Sequence, residues 1–193
     1  MLHLNDGMGN FTDATAGRMP FSFGYTTSVA LGDVDGDGDL DIVFGNDGDR
    51  NCLYVNNGTG YFTDATMARM PVDTDPTAAV VLGDVDGDGD LDLVCANNVL
   101  SSGDSGGLLS THWYWFQTDG QQNRLYLNDG TGHFADATAR LPSDADPTTG
   151  AAMADVDQDG DLDIVFVNGE TECGRAVRIV AVDAVEEGGA LVQ

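Results

Sequence analysis

The 193-residue sequence has no lysine, only seven arginines and no long hydrophobic run. The 33 acidic residues give it a formal net charge of −26. This balance excludes the basic surface by which proteins bind nucleic acid, and it disfavours docking on anionic lipid. No apolar stretch approaches the roughly 20 residues of a membrane-spanning helix. We find no spacing that connects the arginines to a site, and we attribute the lack of lysine to codon usage or a salt-adapted source.

Cysteine is scarce as well, with Cys52, Cys95 and Cys173 in the whole chain. An odd number does not define a disulfide framework. Cys95 takes the repeat position that Phe44 and Phe166 hold elsewhere, which predicts a buried thiol. A disulfide between Cys52 and Cys173 stays open. No signal peptide is visible after Met1, so we expect the chain to begin downstream of a leader or to be a fragment.

Residues of the common catalytic motifs are few. The four glutamates all lie near the C-terminus, at Glu170, Glu172, Glu186 and Glu187. No Ser-His-Asp order, Cys-His pair or H-E-x-x-H motif occurs. The sequence therefore predicts no catalytic residue, and an enzyme is the less favoured reading.

What the sequence does have is an internal repeat. Residues 2–15, 53–66 and 125–138 read LHLNDGMGNFTDAT, LYVNNGTGYFTDAT and LYLNDGTGHFADAT. Asp-rich segments begin at residues 33, 84 and 155 and keep nearly the same offsets. The unit is therefore about 50 residues long. We divide a single repeat domain, 1–193, into repeats at about 1–50, 51–122 and 123–174, with an insertion at 99–122 and a C-terminal strand and tail at 175–193.

Each unit is typical of four short strands. Two flank the glycine turn of the LYxN and FxDAT segments, and two flank the Asp-rich loop. Units of this kind predict an all-β fold of four-stranded, propeller-type blades. Three repeats do not close a propeller in the usual way, so we expect a partial or open propeller, with completion between subunits as one alternative. The strand at 175–185 either pairs with a neighbour's open edge or ends this chain's own sheet.

The Asp-rich loops read DVDGDGDLD at 33–41 and 84–92, and DVDQDGDLD at 155–163. Alternating carboxylates and a glycine at the sixth position supply the oxygen ligands and the sharp turn of a Ca²⁺ loop. The seventh residue is expected to offer its carbonyl while its side chain faces water. The predicted ligands of three Ca²⁺ ions are Asp33, Asp35, Asp37, Asp39 and Asp41; Asp84, Asp86, Asp88, Asp90 and Asp92; and Asp155, Asp157, Asp159, Asp161 and Asp163.

Other metal sites fit the loops less well. No histidine or cysteine lies in them, which disfavours zinc and copper. An EF-hand needs glutamate at position 12, where this chain has Phe44, Cys95 and Phe166. Strands and not helices are predicted on either side.

Together these motifs resemble the FG-GAP/VCBS repeat family. The resemblance rests on D-x-D-x-D-G-D-x-D followed by IVF or LVC, joined to LYxNDGTGxFxDAT, and it covers nearly the whole chain. The FxDAT segment looks most like the bacterial and cartilage-acidic-protein-like branch. The resemblance implies β-propeller blades, Ca²⁺ in the hairpin loops and an extracellular setting, as in integrin α-subunits. Propellers of the family commonly have more blades than this chain has repeats.

Two further features suggest surface roles. Asn10 and Asn57 lie in N-x-[ST] sequons beside glycine turns, where a secreted protein could be glycosylated. Trp113 and Trp115 would share one face of a strand, where they either stack on sugar or a partner or cover the local core.

The favoured function is an extracellular, calcium-stabilised and non-catalytic structural, adhesion or assembly module, which includes a subunit of a ring or filament. The alternative is a lectin-like module or part of a polysaccharide-active lyase or hydrolase. Expected partners are other subunits at open sheet edges, or an extracellular protein or glycan. We expect neither nucleic-acid binding nor membrane insertion.

Overall fold

The structure, a computed structural model, describes residues 1–21, 24–98, 121–143, 146–169 and 178–182. In these residues it is built from short antiparallel strands, as the repeat predicted. The strands are β1 His3–Asn5, β2 Phe11–Asp13, β3 Thr26–Gly32, β4 Asp41–Asn46, β5 Cys52–Asn56, β6 Phe62–Asp64, β7 Thr77–Gly83, β8 Asp92–Asn97, β9 Arg124–Asn128, β10 Phe134–Asp136, β11 Thr148–Ala154, β12 Asp163–Asn168 and β13 Arg178–Val182.

The strands form three consecutive blades and one extra hairpin. Blade 1 has the order β3-β4-β5-β6, blade 2 has β7-β8-β9-β10, and blade 3 has β11-β12-β13. The N-terminal hairpin, β1–β2, is a sheet of its own. The described part of the chain forms no closed barrel. The prediction of an all-β fold with propeller-type blades in a partial arrangement is confirmed.

The blades are out of phase with the sequence repeat. Strand β4 pairs with β5 through Ile42↔Tyr54 and Phe44↔Cys52, so one blade joins the second half of a repeat to the first half of the next. Blade 2 repeats this pairing between β8 and β9. The N-terminal hairpin therefore corresponds to the outer strand pair of a blade, equivalent to β5–β6.

Local sequence explains the hairpins. In the turn between β5 and β6, Gly58 and Gly60 have φ of +80° and +75°, a region that side chains with a Cβ rarely enter. After β6, the Asp64 carboxylate accepts a hydrogen bond from the Thr66 N–H and starts one helical turn, α2, at Thr66–Arg69. Equivalent single turns follow β2 and β10, at Thr15–Arg18 (α1) and, as a 3₁₀ turn, at Thr138–Arg140. The sequence showed no helical period, so these turns were not predicted.

The core lies between neighbouring blades. Strands β4 and β8 are buried on both faces, which suits their branched apolar sequences. One apolar cluster fills the space between blades 1 and 2 and consists of Val34, Val43, Leu53, Met70, Val80, Leu93, Cys95, Tyr126 and Phe134. A second, between blades 2 and 3, contains Val94, Ala96, Leu125, Leu141, Ile164 and Phe166. The predicted burial of the Cys95 thiol is confirmed.

Polar side chains join the blades at the end opposite the Asp-rich loops. The amide of Asn51 in blade 1 donates to the Thr77 hydroxyl of blade 2, which donates in turn to Asn97. The same step recurs from Asn123 to Thr148 and Asn168. These side chains are all buried, so each donor and acceptor needs the partner that the next blade supplies.

The C-terminal strand belongs to the chain's own sheet. Strand β13 pairs antiparallel with β12 along Ile164↔Val182 to Asn168↔Arg178, which confirms the second of the two alternatives for this segment. Trp113, Trp115, Cys173 and residues 99–120 of the insertion lie outside the described residues, so their predictions stay predictions. Among the residues that are described, no helix has the length and apolar character needed to cross a bilayer.

Candidate metal centres

Each Asp-rich loop joins the first two strands of a blade and folds around its first aspartate. The Asp33 carboxylate accepts hydrogen bonds from the N–H groups of Gly36, Asp37 and Gly38, at 2.9, 3.1 and 2.9 Å. Asp84 makes the same three contacts in the second loop. Asp155 accepts from Gln158 and Gly160 in the third. The loop backbone therefore wraps a carboxylate, which brings the following aspartates together.

Three carboxylates converge in each loop. Within each group, one oxygen from every residue lies within 4.8 Å of the others, a spacing that a single cation can bridge. The groups are Asp33, Asp35 and Asp37; Asp84, Asp86 and Asp92; and Asp155, Asp157 and Asp163. The other predicted ligands, which the structure leaves outside these groups, are Asp39, Asp41, Asp88, Asp90, Asp159 and Asp161. The assignment of the fifteen residues as ligands stays a prediction.

The ninth residue of each loop is a buried clamp. The two oxygens of Asp41 accept hydrogen bonds from Val34 N at 3.2 Å and Asn56 N at 2.8 Å. Asp92 accepts from Val85 N and from Asn128 N in the same way. Burial raises the pKa of both carboxyls, that of Asp92 to about 6, and the N–H donors oppose the shift. These carboxylates tie the loop to the third strand of their blade.

The seventh residue does not face water in every loop. Asp161 is exposed, but Asp39 and Asp90 are half-buried. The side chain of Asp39 lies so close to the turn of its own blade that a Cβ on Gly58 would be 2.5 Å from its carboxylate oxygen. Gly130 stands in the same relation to Asp90. Because these turn glycines have no Cβ, they leave room for the side chains of Asp39 and Asp90. The sequence pattern had predicted that both side chains face water.

One oxygen of the first loop points to a cation. Among the described residues, Asp35 Oδ1 is buried and has no hydrogen-bond partner. A buried acceptor that lacks a donor is costly, and a cation held by the neighbouring carboxylates would satisfy it. The side-chain donors of the cluster are all oxygens, the ligand type of Ca²⁺. The residues of the first loop therefore fit a calcium ion.

Arginine side chains contact two of the loops, which the sequence reading missed. Arg69 lies 2.9 Å from Asp35, and Arg140 lies 3.5 Å from Asp86. Each arginine ends the single helical turn of its own blade. The interpretation that no spacing connects the arginines to a site is wrong, because FxDAT is followed by arginine in all three repeats, at Arg18, Arg69 and Arg140.

The neighbouring blade covers the first loop. The amide of Asn128, in blade 2, donates to the carbonyl of Val34 at 2.7 Å. Gly132 packs beside Val34 and Asp35, where a Cβ would collide with Arg69. As a result Val34 is 1% exposed, whereas the equivalent Val156 of the third loop is 54% exposed. The three loops share a sequence but not an environment.

The two predicted glycosylation sites are both exposed. Asn10 lies in the turn after β1, and its amide donates to Asp6. Asn57 lies in the equivalent turn after β5, and its carbonyl oxygen accepts from Thr59. Either side chain lies on the surface, and modification itself stays a prediction.

Comparison with known proteins agrees with this geometry. The sequence model of the FG-GAP-like repeat matches residues 1–44, 33–95 and 99–166. Cartilage acidic protein 1 of Xenopus tropicalis is 29% identical over 179 residues, which are 88% of this chain and 25% of that protein. The human protein of the same name is 30% identical over 88% of this chain and 24% of its own length. This chain thus spans about a quarter of these relatives. With three matched repeats, it belongs to the FG-GAP-like repeat family.

Proposed function

We propose that this chain is a calcium-stabilised, non-catalytic structural module that works outside the cell. The observation that carries the proposal is the buried, unpartnered Oδ1 of Asp35 inside a cluster of three carboxylates. Bound calcium would supply positive charge there and hold the two inner strands of each blade together. Asp33, Asp35 and Asp37 would bind it in the first loop, with the corresponding clusters in the other two.

The net charge supports a role for bound cations. At −26, the chain repels itself, and each loop places five aspartates within nine residues. Arg69 and Arg140 offset only part of this charge at the first two loops. Extracellular calcium modules bind the ion with a Kd of about 10⁻⁴–10⁻³ M. Calcium at about 100 times the Kd of a site adds about 2.7 kcal/mol to the free energy of unfolding.

An extracellular structural role also agrees with the comparisons. The relatives are named cartilage acidic protein 1, and this chain is itself strongly acidic. In the described residues, acidic side chains fold the loops, clamp the strands and pair with arginines. Surfaces on the blades would then bind other proteins or glycans.

Thermal unfolding with and without calcium tests this function. We expect the melting temperature to fall by ten degrees or so when calcium is replaced by excess EDTA, because sites worth about 1–3 kcal/mol each are lost. Magnesium at equal concentration is the control, and it should restore less because it demands stricter octahedral geometry. An unchanged melt in EDTA would refute the calcium scaffold.

A further inference from the structure

The hairpin turn of blade 2, at residues 129–133 between β9 and β10, lies between the first and second Asp-rich loops. On one side, a Cβ on Gly130 would collide with the carboxylate of Asp90 in the second loop. On the other side, a Cβ on Gly132 would lie 3.2 Å from the Cβ of Asp35 in the first loop. The turn therefore contacts both loops.

Asn128, the last residue of β9, fastens this turn to the two loops. Its side-chain oxygen accepts a hydrogen bond from the Gly132 N–H at 3.0 Å. Its side-chain nitrogen donates to the carbonyl of Val34 in the first loop at 2.7 Å and to that of Leu91 in the second at 3.1 Å. Because the backbone nitrogen of Gly132 can only donate, the side-chain oxygen must face it, and both N–H groups of the amide are left for the carbonyls. One buried side chain thus joins three segments.

In the first loop, Asn128 holds the backbone between two predicted calcium ligands, Asp33 and Asp35. The N–H of Val34 donates to the buried carboxylate of Asp41 at 3.2 Å, and its carbonyl accepts from Asn128. That carbonyl belongs to the peptide group that leads into Asp35. The direction in which the Asp35 side chain leaves the backbone therefore depends on Asn128.

In the second loop, the same asparagine holds the closing residues. Its backbone N–H donates to Asp92 at 2.9 Å, while its side chain holds the preceding carbonyl, that of Leu91. Asp92 is fully buried and is one of the three carboxylates that converge in this loop, with Asp84 and Asp86. A displacement of Asn128 would therefore move a predicted ligand of the second loop as well.

We propose that Asn128 is a positioning residue that couples the first two loops, so that calcium in one loop raises the calcium affinity of the other. The inference rests on the proposed calcium function. In an empty loop the carboxylates repel one another and pull on the segments that Asn128 holds. An ion in the first loop would fix the Val34 carbonyl and, through Asn128, the position of Asp92. The second ion would then meet ligands that are already ordered, and by linkage the effect is the same in both directions.

The sign of the effect distinguishes this coupling from simple electrostatics. Calcium cancels two negative charges of the second loop, whereas Asp86→Asn removes one charge and one of the three converging carboxylates. Charge alone therefore predicts that the first loop binds calcium more weakly beside a loaded second loop than beside an empty Asp86→Asn loop. Coupling through Asn128 predicts the reverse.

Calcium titration of the full chain, followed by two-dimensional ¹H–¹⁵N NMR, tests the proposal loop by loop. The reporters are glycine amides that donate to the first aspartate of their loop: Gly36 and Gly38 in the first loop, and Gly87 and Gly89 in the second. We expect Asp86→Asn to raise the calcium midpoint of the first loop at least about fivefold. Asp37→Asn, in the first loop, should raise the midpoint of the second by a similar factor.

A double-mutant cycle assigns the effect to the asparagine. In an Asn128→Ala background, Asp86→Asn should no longer raise the midpoint of the first loop. Asn56→Ala is the matched control, because Asn56 holds the same position in β5 and donates to the carbonyl of Leu40 in the loop of its own blade. In that background the fivefold effect of Asp86→Asn should persist. The dispersion of the NMR spectra shows that each variant is folded.

Gly132→Ala provides a second variant, which leaves Asn128 in place. Its Cβ would collide with Arg69 and lift the turn from the first loop, so it should also reduce the effect of Asp86→Asn. Calcium binding at both loops with no rise in midpoint on Asp86→Asn overturns the coupling alone. So does a rise that Asn128→Ala and Gly132→Ala both leave unchanged. If neither loop binds calcium, the proposed function itself is overturned, and the coupling with it.

Discussion

The first and third Asp-rich loops have almost the same sequence and very different surroundings. In the first, Val34 is buried under blade 2 and Asp35 pairs with Arg69. In the third, Val156 is 54% exposed and Asp157 forms no ion pair within the described residues. The motif therefore supplies the carboxylates, the helical turn of the same blade supplies the counter-charge, and the next blade supplies the burial.

The backbone differs between these loops as well. Gly36 and Gly87, the fourth residues of the first two loops, have φ of +73° and +74°. Gln158 holds the same conformation in the third loop, with φ of +67°. A side chain in the left-handed region costs about 1–2 kcal/mol. The third loop is thus both less covered and more strained, and we expect the weakest calcium site there.

The largest difference should come from the buried clamps. Asp92→Ala removes the acceptor of two buried N–H groups and should lower the free energy of unfolding by about 3–5 kcal/mol. Asp163→Ala leaves the N–H of the exposed Val156 without its carboxylate, where water can replace it, and should cost about half as much. Urea unfolding in saturating calcium measures both.

The exposed Asp161 provides the control for this pair. Asp161→Ala should change the free energy of unfolding by no more than about 0.5 kcal/mol. Equal losses for Asp92→Ala and Asp163→Ala would show that burial by the next blade does not distinguish the two loops.

The arginines should show a smaller effect. Arg69→Met removes a partly buried ion pair with Asp35 and should cost about 1 kcal/mol, more in EDTA than in calcium, because Arg69 is then the nearest counter-charge. Arg18→Met should cost less than about 0.5 kcal/mol, since exposed Arg18 donates to the carbonyl of Thr59 and pairs with no carboxylate in the described residues. Denaturant titrations under both conditions decide this, and a larger loss at Arg18 would reverse the order that the structure implies.

The smallest effect concerns the strained glutamine. Gln158→Gly should raise the free energy of unfolding by at most about 1 kcal/mol, because relief of the left-handed conformation outweighs the added freedom of the unfolded chain. The reverse change in the second loop, Gly87→Gln, should lower it by about 1 kcal/mol. If both variants melt as the wild type does, backbone strain contributes nothing to the difference between the loops.

Sequence alone predicted the parts of the structure that depend on local chemistry. The repeated segments predicted the strands, and the glycines predicted the turns between them. The repeat position of Cys95 correctly predicted that its thiol is buried in the core. The alternation of aspartates identified the loops, and the structure gathers three carboxylates in each.

Features that depend on contacts between distant segments were not predicted. The chain order alone does not show that β4 pairs with β5 across a repeat boundary, because strand pairing is set by tertiary packing. Arg69 lies 34 residues from Asp35, and only the fold brings them together. The same holds for the links between Asn51 and Thr77 and between Asn123 and Thr148. The recurrence of arginine after FxDAT is visible in the sequence. Only the fold shows that two of these arginines contact the Asp-rich loops.

Titration calorimetry of the calcium-free chain tests the central claim most directly. If the three loops bind calcium and their environments differ as described, three ions should bind per chain in two classes, with the third loop as the weaker site. Asp157→Asn should remove the weaker class and leave the tighter one. The absence of binding at millimolar calcium would contradict the account.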